Sequence, residues 1–324
     1  ARRMSAFAAS APGKVILLGE HAVNRAQPAL AAAIDRRVWC RVVPRSDDAF
    51  VFVREGGQET VSRDALMAGK DEIDRLRETG AIDDLRARTA NDFFAPARYV
   101  LAHVAERYDL PALEIAWRSE LPIGAGFGSG GASSTAMAFA AIRAAGSNPD
   151  PAEVAFLAWQ GDVIAHGGIA SGLDSGASAL GGMTRYTLAD GPRAAPGRAL
   201  TLVVADTGVV AKTTDVNTRV RRNLEAHPAL MHLFGLIGLL VACAEEALAA
   251  GDAGRLGRLM SLNQLVLAKL GVSCPEIERL VEAALEAGAL GAKLSGSGGG
   301  GIVIAVPPPD GAEAVAAAMA AAGG

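Results

Sequence analysis

Short runs of branched and apolar residues alternate along the chain with longer stretches of helical periodicity. The short runs, bounded by Gly, Pro or charged residues, predict strands at about 15–18, 38–43, 50–53, 113–117, 200–205 and 302–306. Apolar residues that recur every three to four positions predict helices at about 95–109, 133–145, 152–166, 214–226, 229–249, 254–269, 275–287 and 311–322. Because these elements do not follow a regular βαβαβ order, the pattern favours an α+β fold.

Three segments add to this picture. Residues 69–91 are heavily charged with helical spacing, which predicts a solvated surface helix or a lid. The Gly/Pro-rich stretch 190–197 predicts a boundary between a domain at 5–190 and a domain at 198–324. The stretch 228–244 has 17 residues without a formal charge. A membrane span needs about 20 apolar residues, so we expect a buried core helix there and no membrane segment.

Composition excludes several classes of protein. Half of the 324 residues are hydrophobic and the net charge is −4, so the chain is globular and has no basic excess for binding nucleic acid or acidic membranes. Cys40, Cys243 and Cys274 lie far apart without a CxxC pair. This spacing argues against a zinc site and a disulfide framework, and it favours the cytoplasm.

Glycine clusters at 124–131 and at 296–301. The first cluster lies between a predicted strand and an alanine-rich helix, where free N–H groups and glycines can cradle a phosphate. Residues 126–131 formally match GxGxxG, but the helix that follows leads into another helix, and GxxxxGK[ST] does not occur. A phosphate site outside the two common nucleotide folds is therefore expected.

Three motifs in order carry a family resemblance. They are APGKVILLGEHAV at 11–23, SELPIGAGFGS at 119–129 and KLSGSGGGG at 293–301. Together they resemble the GHMP small-molecule kinases, most closely the members that phosphorylate mevalonate. Segments QGD at 160–162, HG at 166–167 and SGLD at 171–174 extend the likeness. The resemblance implies a ribosomal-protein-S5-like N-terminal α+β domain and a ferredoxin-like C-terminal α+β domain.

The resemblance also implies transfer of the ATP γ-phosphoryl group to the primary hydroxyl of mevalonate, with Mg²⁺. Asp174 would polarise the attacking hydroxyl and Lys14 would steady the developing charge. Asp162 and Ser129 would serve the metal, and Glu20, His21, His166 and Thr213 would line the substrate pocket. ATP would be bound by Ser119, Gly124, Ala125, Gly126, Phe127, Gly128, Ser129, Gly130 and Gly131, and the second glycine loop would contribute Gly296, Gly298 and Gly299.

The chain departs from the family pattern at four places. Gly130 stands where a second serine is usual, Phe127 replaces a leucine and Asp162 replaces a glutamate. The interval from His166 to Asp174 is one residue longer than expected.

Two alternatives stay open. One is a sibling GHMP kinase that acts on another hydroxyl or on a phosphomevalonate, and the other is a nucleotide-binding pseudokinase. The expected partner is a small-molecule substrate, with no nucleic acid and no membrane, and a homodimer is an assembly that the resemblance allows.

Overall fold

The structure, a computed structural model, describes residues 5–122, 125–168 and 170–324. Contacts divide the chain into two compact units. The first unit holds the described residues of 1–13, 34–121 and 128–181, and the second unit holds those of 14–33, 122–127 and 182–324. Strands β1 (Phe7–Leu18) and β2 (Ala29–Pro44) have residues in both units, so the chain does not divide at a single point.

The first unit contains three strands that extend a sheet from the C-terminal part of β2. They are β3 (Ala49–Arg54), β4 (Gly57–Ser62) and β5 (Leu113–Ser119), in the order β4-β3-β5-β2. β3 and β4 form an antiparallel hairpin, β5 runs parallel to β3, and β5 is antiparallel to β2 with Val42 opposite Ile115. Buried Phe50, Phe52 and Ile115 place the apolar side chains of these strands in the core.

The described residues of the first unit form six helices. They are α1 (Arg63–Glu78), α2 (Ile82–Thr89), α3 (Ala95–Arg107), α4 (Ser129–Ala144), α5 (Pro151–Ala165) and α6 (Leu173–Leu180). Local sequence sets where they begin: Ser62 caps α1 by accepting from Ala65 N, and Asp150 caps α5 by accepting from Glu153 N. Most residues that α4 buries are small (alanine, glycine, serine or threonine), so neighbouring helices can approach it closely.

The second unit contains two groups of strands. β6 (Met183–Thr187) pairs with residues 29–32 of β2, and β7 (Gly191–Ala194) pairs with β6. β8 (Val203–Asp206), β9 (Gly291–Ser295) and β10 (Ile302–Val306) form an antiparallel sheet in the order β8-β10-β9. The helices are α7 (Thr213–Ala226), α8 (His232–Ala250), α9 (Ala253–Leu270), α10 (Pro275–Glu286) and α11 (Ala312–Ala321).

A glycine pair lets α9 lie directly on β9. A Cβ atom built on Gly291 would stand 1.8 Å from the carbonyl oxygen of Gly257, and one built on Gly257 would stand 2.5 Å from that of Leu290. Any larger residue at either position would separate the helix from the strand.

The α+β fold class is confirmed, and most predicted helices are present. The pattern failed to predict β4, β6, β7, β9 and the short helix α6. Residues 191–194 form strand β7, so part of the expected linker is regular structure. The domain boundary near 190–198 itself stays a prediction.

The apolar stretch at 228–250 is longer than the sequence pattern suggested. A short 3-10 helix at Pro228–Met231 continues into α8, and the 23 residues have a mean hydropathy of 1.9 in their most apolar window. Length and composition alone would let this helix cross a membrane. It buries Phe234, Ile237 and Val241, while Leu236 and Leu239 are exposed. A helix that packs on a protein core passes the same test, so it gives no evidence of a membrane segment.

Candidate functional site

The first glycine cluster leads into the N-terminus of α4. Gly128 is the N-cap with φ of 70°, a left-handed conformation that glycine adopts without strain, and the helix begins at Ser129. The first N–H groups of a helix have no partner within it and carry partial positive charge, which suits an anion. Of the residues predicted to bind ATP, Gly124 lies outside the described residues.

Gly131 lies against the start of α6. A Cβ atom built on Gly131 would stand 2.9 Å from Ser175 N and 3.3 Å from Asp174 Cβ. The first turn of α4 therefore touches the backbone that carries Asp174. Gly131 has a steric reason to be glycine, whatever its contact with a nucleotide.

Asp162 lies beside this junction. Its side chain, 2% exposed, accepts a hydrogen bond at Oδ2 from Ser175 N at 3.2 Å. Burial, and then the negative charge of Asp174, raise the pKa of Asp162 to about 7, although His166 acts in the opposite direction. A cation bound between Asp162 and Asp174 would offset the repulsion between their two negative charges.

Gly130 leaves space next to Asp162. A Cβ atom built there would stand 3.9 Å from Asp162 Oδ1, an ordinary contact distance, and no other described atom outside the helix backbone lies within 4 Å. The usual serine of the family would therefore fit, and its absence is not enforced by packing.

His166 ends α5 and is exposed. Its Nδ1 lies 2.8 Å from the carbonyl oxygen of Asp162. The other ring nitrogen, Nε2, takes no part in this contact.

Lys14 belongs to the second unit and is 3% exposed. Its Nζ donates to the carbonyl oxygen of Gly126 at 3.2 Å, and its backbone N donates to that of Phe127 at 2.9 Å. A buried lysine held on the glycine segment 125–127 places a fixed positive charge beside that segment.

Glu20 forms an ion pair that the sequence did not reveal. Its Oε1 contacts Lys293 Nζ, and both side chains are at most 1% exposed. Lys293 also donates to the carbonyl oxygen of Ile16 at 3.4 Å. Burial raises the pKa of Glu20 and lowers that of Lys293. The available signal was a lysine between two apolar residues of a strand.

His21 and Thr213 both reach the second glycine loop. His21 has φ of 60°, and its Nε2 lies 2.8 Å from the carbonyl oxygen of Ser297. Thr213 Oγ1 donates to Ser297 Oγ at 3.3 Å. Burial, partly offset by the contact with Ser297, lowers the pKa of His21. Thus two of the predicted substrate residues meet at Ser297.

Two glycines of the second loop, Gly298 and Gly299, allow close packing, whereas Gly296 faces open space. Gly296, Gly298 and Gly299 have φ of 112°, 78° and 73°. A Cβ atom on Gly298 would stand 2.2 Å from the carbonyl oxygen of Val272, and one on Gly299 would stand 3.3 Å from Arg219 Nη2. Arg219 therefore faces this loop, whereas Arg221 on the same helix lies 3.9 Å from Glu225.

Ser119 closes a turn of its own. Its hydroxyl accepts from Leu121 N and donates to the Leu121 carbonyl oxygen, both at 3.0 Å. Contact with a nucleotide would have to share or replace these bonds.

A family described as GHMP kinases N terminal domain matches residues 96–182, and one described as GHMP kinases C terminal matches residues 244–324. A mevalonate kinase of Aeropyrum pernix is 37% identical over 294 residues, which is 90% of this chain and 85% of that protein. A mevalonate kinase of Thermococcus sibiricus is 34% identical over 304 residues, which is 90% of this chain and 86% of that protein. The chain belongs to the GHMP kinase family.

Solved structures agree with this GHMP kinase assignment. The L. major mevalonate kinase in complex with R-mevalonate has a TM-score of 0.74 and 28% identity, covering 97% of this chain and 91% of that one. The Methanococcus jannaschii mevalonate kinase has a TM-score of 0.79 at 20% identity, covering 98% of this chain and 95% of that one, and shows the shared fold.

The predicted site residues of this GHMP kinase thus fall into two sets. Within the first unit, Gly131, Asp174 and Asp162 lie together around the backbone N of Ser175, a residue that was not predicted. Within the second unit, His21 and Thr213 meet at Ser297, and Lys14 binds the segment 125–127. In the described ranges, no group of three or more His, Cys, Asp or Glu side chains is arranged to hold a metal ion.

Proposed function

We propose that the protein transfers the γ-phosphoryl group of ATP to the primary hydroxyl of mevalonate. The relatives named mevalonate kinases, at 34% and 37% identity over 90% of the chain, support this substrate. The observation that carries the chemistry is the pair of carboxylates, Asp162 and Asp174, at the first turn of α4. In a kinase, a cation bound by such carboxylates would also bind the phosphates and neutralise their negative charge.

The α4 N-terminus would hold the triphosphate. Residues 128–131 offer the free N–H groups and little side-chain bulk, so phosphate oxygens could approach the backbone. Phosphoryl transfer depends mainly on positioning and on compensation of negative charge. Lys14, with its buried ammonium, would supply further compensation.

The carboxylates fit a magnesium ion. Mg²⁺ prefers oxygen ligands and retains several waters, so it needs only one or two carboxylates from the protein. Burial and the charge of Asp174 raise the pKa of Asp162, so a bound cation would favour its ionised form. Asp162 would hold the ion, with Ser129 as a second oxygen donor, and the ion would neutralise charge on the phosphates when bound.

Asp174 would orient the attacking hydroxyl and receive its proton. Glu20, His21, His166 and Thr213 are proposed to surround the substrate. Because Glu20 is paired with Lys293, its part would be to fix the turn after β1 that carries His21.

Coupled ADP release with a panel of acceptors tests the function. We expect turnover with mevalonate, and none with galactose or homoserine. Turnover only with a phosphomevalonate would show the sibling kinase, and ATP binding without turnover on any acceptor would show the pseudokinase.

Asp174→Asn tests the proposed catalyst. General acid–base groups contribute typically about 10²-fold or more, so kcat should fall by at least about 10²-fold. Asp190→Asn, in an exposed turn, is the control and should leave kcat unchanged. Unchanged turnover in Asp174→Asn would remove Asp174 from the mechanism.

We also propose that the enzyme works in the cytoplasm, since Cys40, Cys243 and Cys274 are unpaired. The homodimer stays a prediction, which sedimentation equilibrium would check.

A further inference from the structure

Two elements at the edge of the first unit have no place in the proposed reaction. They are helices α1 and α2, within the charged segment that the sequence predicted as a solvated surface helix or lid. They are not simply solvated. Ile73 of α1 and Leu85 of α2 share a buried cluster with Tyr99 of α3 and Ile164 of α5. α1 and α2 thus pack on the helix that precedes the loop 166–172.

The loop 166–172 joins α5 to α6 and leads directly to Asp174. Residue 169 of this loop lies outside the described residues. Gly167, Gly168 and Gly172 have φ of 66°, 100° and 83°, so much of the loop adopts conformations that side chains disfavour. A loop rich in glycine has many alternatives in the absence of restraints, so its position depends on contacts made to it.

The first contact comes from α2. Arg86 Nε donates to the carbonyl oxygen of Gly167 at 3.2 Å. A Cβ atom on Gly167 would stand 3.0 Å from Arg86 Cγ, and one on Gly168 would stand 3.1 Å from Ile82 Cδ1 and 3.2 Å from Leu85 Cδ2. Helix α2 therefore lies directly on the first half of the loop.

The second contact comes from Trp159 of α5. Its Nε1 donates to the carbonyl oxygen of Ala170 at 2.9 Å. A Cβ atom on Gly172 would stand 3.1 Å from Trp159 Cδ1. The indole thus fixes the second half of the loop, two residues before Asp174.

Arg77 of α1 holds this tryptophan in place. The guanidinium carbon of Arg77 lies over the Trp159 ring, 5.9 Å from its centroid. Its Nη1 donates hydrogen bonds to Gln160 Oε1 and to Tyr99 Oη, both at 2.7 Å. Tyr99 Oη in turn donates to Asp74 Oδ1. A planar guanidinium bonded at two places is a rigid support for a neighbouring ring.

We propose that Arg77 and Arg86 are positioning residues that hold the loop 166–172 and thereby aim the carboxylate of Asp174. The proposal rests on the proposed function in so far as it gives Asp174 a catalytic part. Displacing a reacting group by about 1 Å can cost about 10²-fold in rate, so two contacts outside the chemistry can control kcat.

Arg86→Ala is the first test, with Arg88→Ala as the matched control. Arg88 lies on the same helix and pairs with the half-exposed Glu72 at 2.9 Å, away from the loop. We expect Arg86→Ala to lower kcat by about tenfold or more, with KM for ATP within about twofold and an unchanged Tm. Arg88→Ala should match the wild type in all three quantities.

The tryptophan route has its own pair of variants. Trp159→Phe removes the N–H that reaches Ala170 and retains an aromatic ring, so it should lower kcat with little change in Tm. Arg77→Lys keeps the charge and should retain more kcat than Arg77→Met. Combining Arg77→Met with Trp159→Phe should cost less than the product of the two single effects, because both act through one indole.

Hydrogen exchange separates this proposal from the proposed function. Backbone amides of 166–172 should exchange faster in Arg86→Ala and Arg77→Met than in the wild type, without substrate present. If the wild type turns over none of the acceptors, the proposed function fails and faster exchange still supports the positioning role. Exchange and kcat equal to wild type in both variants, or a loss confined to Tm, would overturn it.

Discussion

Gly130 and Gly131 are neighbours in the first turn of α4, and their surroundings make opposite demands. Gly131 faces the backbone of Ser175, where a Cβ atom would stand at 2.9 Å, whereas Gly130 faces open space beyond Asp162. A sequence that shows two adjacent glycines gives no means of telling which one is required. The neighbouring atoms in the folded protein show that glycine is required at 131 and not at 130.

Gly131→Ala should therefore destabilise the protein, and Gly130→Ala should not. Overpacking against a backbone costs about 1–3 kcal/mol, while glycine to alanine in an open helical position gains about 0.5–1 kcal/mol. Urea unfolding of both variants measures the difference. Equal effects of the two substitutions would contradict the junction between α4 and α6.

Gly130→Ser should add an oxygen donor beside Asp162. We expect a lower Mg²⁺ concentration for half-maximal activity, since the serine side chain fits the space next to Asp162 Oδ1. Titrating Mg²⁺ at saturating ATP checks it, with Gly130→Ala as the control for helix propensity. A sharp loss of activity in the serine variant alone would show that the site depends on glycine.

At the scale of elements, the sequence pattern predicted long amphipathic and alanine-rich helices best. Helix α7 was expected at 214–226 and occupies Thr213–Ala226. Strand β9 was missed because Gly291 and Lys293 interrupt its apolar pattern. Its identity depends on contact with α9 and on the partner of Lys293, and both are distant in sequence.

Some residues of the candidate site could likewise be predicted from the sequence, and others could not. The motifs indicated Asp162, Asp174, Lys14 and the glycine clusters, because each of them lies in a short segment that resembles the family pattern. Arg77, Arg86 and Trp159 were not predicted, since their roles arise from packing between α1, α2 and α5. Charge and helical spacing alone made α1 and α2 look like a solvated surface.

Helix α3 carries an acid-sensitive residue. His103 is 8% exposed, and neither ring nitrogen has a hydrogen-bond partner among the described residues. Burial, together with the charge of Lys70, lowers the pKa of His103 to about 4. The unfolded chain, with a pKa near 6.5, binds the proton more tightly, so stability is lost as the pH falls from about 6.5 towards 4.

His103→Phe should remove this acid sensitivity. The ring contact with Tyr99, at 4.6 Å between centroids, would persist. Wild-type protein should lose up to about 3 kcal/mol more than the variant between pH 6.5 and 4. Urea unfolding across that range checks it, and His232→Phe, at an exposed site, should follow the wild type. Parallel pH curves for His103→Phe and wild type would be evidence against a neutral buried His103.

For the whole molecule, the ion pair of Glu20 and Lys293 is the contact whose loss should matter most to stability. Removing one partner of a buried pair leaves an uncompensated charge and costs about 3–5 kcal/mol. We expect Lys293→Met to unfold at much lower urea concentration, and Glu20→Leu combined with Lys293→Met to recover most of the loss. Arg221→Ala, at a pair that is 69% and 67% exposed, should change stability by less than about 1 kcal/mol. A double variant as unstable as the single one would contradict the pairing.

The partition of the chain has a consequence for its synthesis. Residues 14–33 are grouped with 182–324, yet they leave the ribosome well before residues 182–324 are synthesised. Glu20 cannot form its ion pair until Lys293, about 270 residues later in the chain, has been synthesised. In nascent chains halted before residue 293, we expect the end of β1 and the turn at Glu20 to stay unfolded. Such chains should depend on chaperones. Protease digestion of ribosome-bound chains of increasing length would follow the moment at which the strand becomes protected.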